Sequence, residues 1–249
     1  MRGSAGGERE RIKESILVTR VTMTGDQPNR SLARRALEAA IRRGLKRAYK
    51  SIAVDPQEYL FHLRVAHDLP VETYQGVFSI PVDRLDDVAR QTIRAGMKMA
   101  AAEGAGMGLG GFLTLVPDLS ILAGITMRTI QKLSLIYGFP FTTDEEQAEL
   151  WVAAASAAGV DISRELLEKQ VLKRFVPRVM QRIAAQASTE VAEKWAGRLI
   201  PLTSSVVGAV LNYYFVRSWG RRAMAHFRER HLESRASQVQ PGVLLPPAR

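Results

Sequence analysis

Gly106, Gly108 and Gly111 spell G-x-G-x-x-G, the spacing that lets a backbone approach a pyrophosphate at a helix N-terminus. A dinucleotide site of this kind follows a strand and has an acidic residue about twenty positions further on. Here a helical pattern precedes the glycines, and the first carboxylate near that distance, Asp144, lies well beyond it. No Lys-Ser or Lys-Thr pair follows, so the P-loop reading fails as well. His62 and His67 are five positions apart without the H-E-x-x-H frame, and no zinc site is expected from them. Ser120 has no G-x-S-x-G elbow around it. The chain contains no cysteine, which removes disulfides, thiolate ligands and thiol nucleophiles together. Asp118, directly after Pro117, is the one carboxylate in the uncharged stretch from Gly104 to Met127. A buried acid there would relay protons or hold a ligand, whereas an Asp after a Pro commonly caps a helix. Pro117 and Asp118 are therefore carried forward as candidate functional residues, and a carboxylate enzyme centred on Asp118 is one alternative reading. No catalytic set, metal or cofactor is expected.

The elements that must position these residues are helical. In the stretch from Ser31 to Val54, Leu37, Ile41, Leu45, Ala48 and Ile52 fall on one side, and Arg35, Arg42, Arg43, Lys46 and Lys50 on the other. Asp55-Pro56 supplies an N-cap and a first-turn proline for a short helix to about Ala66. A long helix begins near Asp83, with Asp83, Asp86 and Asp87 complementing its dipole. Pro117-Asp118 then starts a second helix that Gly138 and Pro140 close, giving a helical hairpin. Thr143 and Glu146 form a capping box for a helix that Gly159 ends. Ser163 opens a long helix that Pro177 should kink, another starts near Ser188, and a last long helix follows Pro201. Ser15 to Thr24 has a β-branched bias and reads as a short strand. The expected fold is an all-α bundle with a Gly-rich central hairpin and a long C-terminal helix. Residues 1–30 are expected to be a flexible segment, 31–233 the helical domain and 234–249 a disordered tail.

Five glycines occupy the eight positions from Gly104 to Gly111. Thr92, Gly96, Ala100, Gly104 and Gly108 recur every four residues, so small side chains line one helix face. Each interior glycine costs about 1 kcal/mol relative to alanine, which close helix contact must return. Gly96, Ala100, Gly104, Gly108 and Gly111 are accordingly assigned to helix packing. The same apolar hairpin is long enough on paper to enter a bilayer, but Pro117 divides it into halves too short to span one. Leu199 to Val216 is a second run without charge, diluted by Thr203, Ser204, Ser205 and Asn212, and fits a core helix or an inserted one.

A net charge of +10 calls for an anionic partner. The clusters placed to meet it are Arg42, Arg43, Lys46 and Arg47 on the amphipathic helix, and Arg217, Arg221, Arg222 and Arg228 near the C-terminus. Tyr213, Tyr214 and Trp219 border the second cluster, as aromatics do at membrane interfaces. Nucleic acid is disfavoured because no recognition motif accompanies the charge. The first fifteen residues show no secretory signal, so a cytoplasmic protein, peripheral on the inner face of the cell membrane, is expected.

The segment GGFLTLVPDLSILAGITMRTIQKLSLIYGF, Gly110 to Phe139, is similar to the EcsC family in its glycine-rich turn, its Pro-Asp-Leu and its helix ending in Tyr-Gly. The block from Leu199 to Leu232 resembles the family's C-terminal helix, although Thr203-Ser204-Ser205 replaces the more usual apolar residues after the proline. The similarity covers about Leu37 to Leu232. It implies a bacterial, largely helical protein of a family associated with an ABC-transporter operon, without an established enzymatic activity and with no catalytic residues to transfer. Together with the charge pattern it yields a non-enzymatic, membrane-associated accessory of a bacterial membrane or transport complex. Its partners would be an anionic membrane surface or a membrane-protein complex. The other non-catalytic alternative is a soluble module that binds a lipid or other apolar ligand.

Overall fold

A computed structural model describes residues 27–51, 54–107, 112–162, 172–196 and 205–239. Among these residues there are seven α-helices, one 3₁₀ turn and no strand, so the fold is all-α. The strand expected at Ser15 to Thr24 lies outside the described residues.

Helix α1 spans Gln27–Ser51 and buries Leu37, Ala40, Ile41, Gly44 and Leu45. Helix α2, Pro56–His67, is capped by Asp55, whose carboxylate accepts the Glu58 N–H at 2.8 Å, and ends at Asp68 in the left-handed region with φ 50. A 3₁₀ turn, Gln75–Ser79, leads to α3, Val82–Met107, and α4, Phe112–Ile136. Asp86 meets Tyr137 and Gly96 meets Thr129, so α3 and α4 run antiparallel as the expected hairpin. Helix α5, Asp144–Ala157, has both halves of the Thr143/Glu146 capping box, and Gly159 follows it at φ 75. Helices α6, Leu172–Ala196, and α7, Ser205–Val239, complete the described chain.

Three expected boundaries are corrected. Helix α4 begins at Phe112 and runs through Pro117 and Asp118, so the Pro-Asp pair lies inside a helix instead of opening one. Likewise no new helix starts near Ser188, whose hydroxyl donates to the Ala185 carbonyl at 2.8 Å inside α6, the helix that also holds Pro177 as expected. Both prolines are sixth in their helices, where each removes a single backbone bond close to an end that already lacks several. Helix α7 also extends past the expected boundary at residue 233.

The last helix organises the bundle. Gly220 lies on Ile93, Val216 on Gly96, and the Asn212 side-chain amide donates to the Ala100 carbonyl at 3.4 Å, which aligns α7 antiparallel to α3. A Cβ at Gly96 would stand 2.6 Å from Thr129 Oγ1, so the glycine allows α3 a close approach to α4 here. Helix α1 lies against α4 and α6, with Gly44 against the Ser120 carbonyl oxygen. Helix α5 fills the remaining side against α6 and α7. One apolar cluster extends from Leu37 to Phe227, with Trp151, Leu133 and Ile183 among its fully buried members.

Candidate anion-contacting surface

The apolar and basic faces of α1 separate cleanly. Leu37, Ile41 and Leu45 are 6%, 2% and 3% exposed, covered by the bundle, while Arg34, Arg35, Arg42, Arg43, Lys46 and Arg47 are all exposed. Over residues 34–47 the helix therefore keeps its apolar face in the bundle, and what it offers outward is charge. Arg43 Nε donates to the Ala39 carbonyl one turn back at 3.2 Å, which lays its guanidinium along the helix.

The C-terminal cluster divides into two groups. Arg221 is exposed and Arg217 half-buried, next to the exposed rings of Tyr213 and Tyr214, which meet edge-on with centroids 5.8 Å apart. Met99 on α3 is also exposed near this end of the α3/α7 seam, one residue before Ala100. The other arginines pair with carboxylates: Arg222, itself exposed, approaches Glu190 at 3.8 Å, Arg230 pairs with Glu149 at 2.9 Å, and Arg228 Nε donates to Asp86 at 3.0 Å. Trp219, expected at the border, is 2% exposed and stacks on Phe215 with centroids 4.6 Å apart. Its helical phase distinguishes it from the two tyrosines, because it lies four residues from Phe215 on the bundle face.

Asp86 is the residue whose role the sequence concealed. Instead of a solvated charge at a helix start, it is 7% exposed and accepts from the Tyr137 hydroxyl at 2.6 Å as well as from Arg228. Burial and the adjacent carboxylate both push the Tyr137 phenol far above its usual pKa. His231 Nδ1 lies 2.9 Å from the Tyr137 carbonyl, which fixes that nitrogen as the N–H donor. Its Nε2 has no hydrogen-bond partner among the described residues, and its ring stacks on Phe78 at 4.9 Å. Burial chiefly, and Arg235 secondarily, hold this imidazole below its usual pKa against the opposing pull of the Tyr137 carbonyl and Asp86. The network ties the start of α3, the end of α4 and the last third of α7 into one knot.

The remaining sequence-derived candidates are distributed as follows. Gly96 and Ala100 are buried in the α3/α7 seam, and Gly104 is within α3. Gly108 and Gly111 lie outside the described residues, as do the side chains of Pro117 and Asp118. Among the described residues no three His, Cys, Asp or Glu side chains are grouped to hold a metal ion. No helix among them is long and apolar enough to cross a membrane.

Two clefts open on the surface. One, of about 490 Å³, lies between the start of α2 and α5 and includes Asp55, Gln131, Phe141 and Trp151. The other, of about 520 Å³, lies between α1 and α6, over Ile162, Phe175 and Val179, with Glu38, Arg178 and Arg182 at its margin.

The profile of the EcsC protein family matches residues 31–232. The chain is 28% identical over 166 residues to Protein EcsC of Bacillus subtilis strain 168, covering 64% of this chain and 69% of that one. It is 22% identical over 186 residues to the Uncharacterized protein YdbA of the same organism, covering 69% of this chain and 68% of the relative. No solved structure matches it. The matched segment takes in α1, the hairpin and most of α7, and the chain belongs to the EcsC family.

Proposed function

We propose that this protein is a non-enzymatic accessory of a bacterial membrane or transport complex that docks peripherally on the anionic inner face of the cell membrane. The observation that supports this most directly is α1: four consecutive-turn cations, Arg42, Arg43, Lys46 and Arg47, stand exposed while the apolar face of the same helix is buried in the bundle. Docking through such a surface is electrostatic and shallow. Tyr213 and Tyr214 beside Arg217 and Arg221 form a second contact of interfacial type, an amphipathic ring next to a cation. The association of the family with an ABC-transporter operon supports the accessory role.

Each basic residue near an anionic bilayer contributes about 1 kcal/mol, so neutralising four removes about 4 kcal/mol, or roughly a thousandfold in binding at low salt. The test is co-sedimentation with phosphatidylglycerol-containing vesicles across a salt series. The wild-type protein pellets at low salt and is released at high salt. The R42Q/R43Q/K46Q/R47Q variant, with unchanged circular dichroism, stays in the supernatant. Equal binding to neutral phosphatidylcholine vesicles, or equal binding by the variant, would refute the proposal.

A further inference from the structure

The cleft between α1 and α6 pairs an apolar floor with a cationic margin, both supplied chiefly by α6. Ile162, Phe175 and Val179 form the floor, and Arg178 and Arg182, one turn apart on α6, are exposed at the edge. Glu38 marks where α1 borders the opening. Helical spacing places Arg34 and Arg42 one turn to either side of Glu38, and Arg35 three residues before it, all exposed. Arg178 and Arg182 thus stand at the opening beside Glu38, and Arg34, Arg35 and Arg42 lie within a turn of Glu38 on α1. A volume of about 520 Å³ falls within the range of small-molecule sites. Guanidinium forks match phosphate oxygens, and an apolar floor accepts hydrocarbon.

We infer that this cleft binds one molecule of anionic phospholipid, its acyl part on Phe175 and Val179 and its phosphate at Arg182. Arg34, Arg35 and Arg42 supply the surrounding positive field. The neighbouring tail of α1 that docks on the bilayer brings the cleft to its ligand, so the inference deepens the docking reading and relies on it for the source of lipid. It adds specificity to it: docking alone recognises surface charge, whereas the cleft requires charge and hydrocarbon in one molecule.

The experiment titrates the full chain with dihexanoyl phosphatidylglycerol, below its micelle concentration, by calorimetry. Dihexanoyl phosphatidylcholine, inorganic phosphate and decanoate are titrated in parallel. Phosphatidylglycerol is expected to bind at least tenfold more tightly than each of the other three. R182E and the cleft-filling A185W each weaken it at least tenfold, with unchanged circular dichroism and unchanged salt-reversible vesicle binding through α1. Equal binding of phosphatidylcholine overturns the role of the arginines, and phosphate alone binding as tightly overturns the role of the floor. Tighter binding of decanoate overturns the phospholipid assignment, and wild-type affinity in both variants overturns the location. Because the titration uses monomeric lipid, its failure with vesicle docking intact rejects the cleft alone, and the converse rejects docking alone.

Discussion

Replacing Gly44, Gly96 and Gly220 in turn by alanine tests how the helix that carries the cations is seated. All three are interior to helices, so each substitution gains about 1 kcal/mol of helix propensity. What differs is the neighbour a new methyl group meets. At Gly44 it meets the Ser120 carbonyl oxygen and, at 2.8 Å, the Ala123 Cβ, both fixed to the α4 backbone. Relief requires α1 and α4 to separate, an overpacking cost toward the upper end of about 1–3 kcal/mol. At Gly96 the obstacle is Thr129 Oγ1 at 2.6 Å, which can rotate away only by giving up its 2.9 Å bond to the Ile125 carbonyl, a loss of about 1 kcal/mol. At Gly220 the contact is Ile93 Cγ1 at 3.1 Å, a side chain able to yield by a few tenths of an ångström. Gly44→Ala is thus expected to lose about 2 kcal/mol net, Gly96→Ala to be near neutral, and Gly220→Ala to gain up to about 1 kcal/mol. Urea unfolding followed by circular dichroism, with a common slope, reads this order directly from the midpoints. A Gly44→Ala midpoint at or above that of Gly220→Ala would refute the claim that α1 is held by backbone contact with α4.

The buried knot and the caps give further expectations. Tyr137→Phe removes the donor to Asp86 and should cost about 1–3 kcal/mol; in an Arg228→Gln background the loss should differ, a coupling measurable by a double-mutant cycle. His231 titrates below its usual 6.5 in the fold, chiefly because it is buried, so below about pH 6.5 the unfolded chain takes up a proton that the native state refuses. Its contribution is therefore complete above that pH and declines as pH falls; His231→Gln should flatten the slope of urea midpoint against pH between 7 and 5, roughly. Thr143→Ala removes one half of the capping box and should cost about 1 kcal/mol, again by urea midpoint.

Local signals were legible where one residue determines one backbone event. Asp55, Thr143 with Glu146, and Gly159 each mark a helix end in the structure as their chemistry requires. Pro117 misled, because it lies near a helix start where a missing N–H costs little, and the helix runs through it. The division of α1 into apolar and basic faces could be read from its period. Which arginines of α7 find carboxylate partners could not: Arg228 and Arg230 meet Asp86 and Glu149 far away in sequence, and only the placement of α7 on α3 and α5 creates those pairs. The same holds for Asp86, whose burial comes from Tyr137 and Arg228 arriving from other helices. The α1/α6 cleft likewise exists only because α1 borders α6, although α6 alone carries its apolar and cationic residues.

The pairing of α3 with α7 sets the order in which the molecule can be completed during synthesis. Arg228 is 142 residues beyond Asp86, and Asn212 is 112 residues beyond Ala100. At about 5–20 residues per second, roughly 7–28 s separate the emergence of Asp86 from that of its partner arginine. Throughout that interval the groove formed by Ile93, Gly96 and Ala100 lacks its cover, and Asp86 lacks its cation. The nascent hairpin is thus an aggregation-prone intermediate by construction, and a chain halted before α7 would be a substrate for chaperones or proteases. The C-terminal helix works as the closing step of biogenesis, converting a sticky half-bundle into the folded protein.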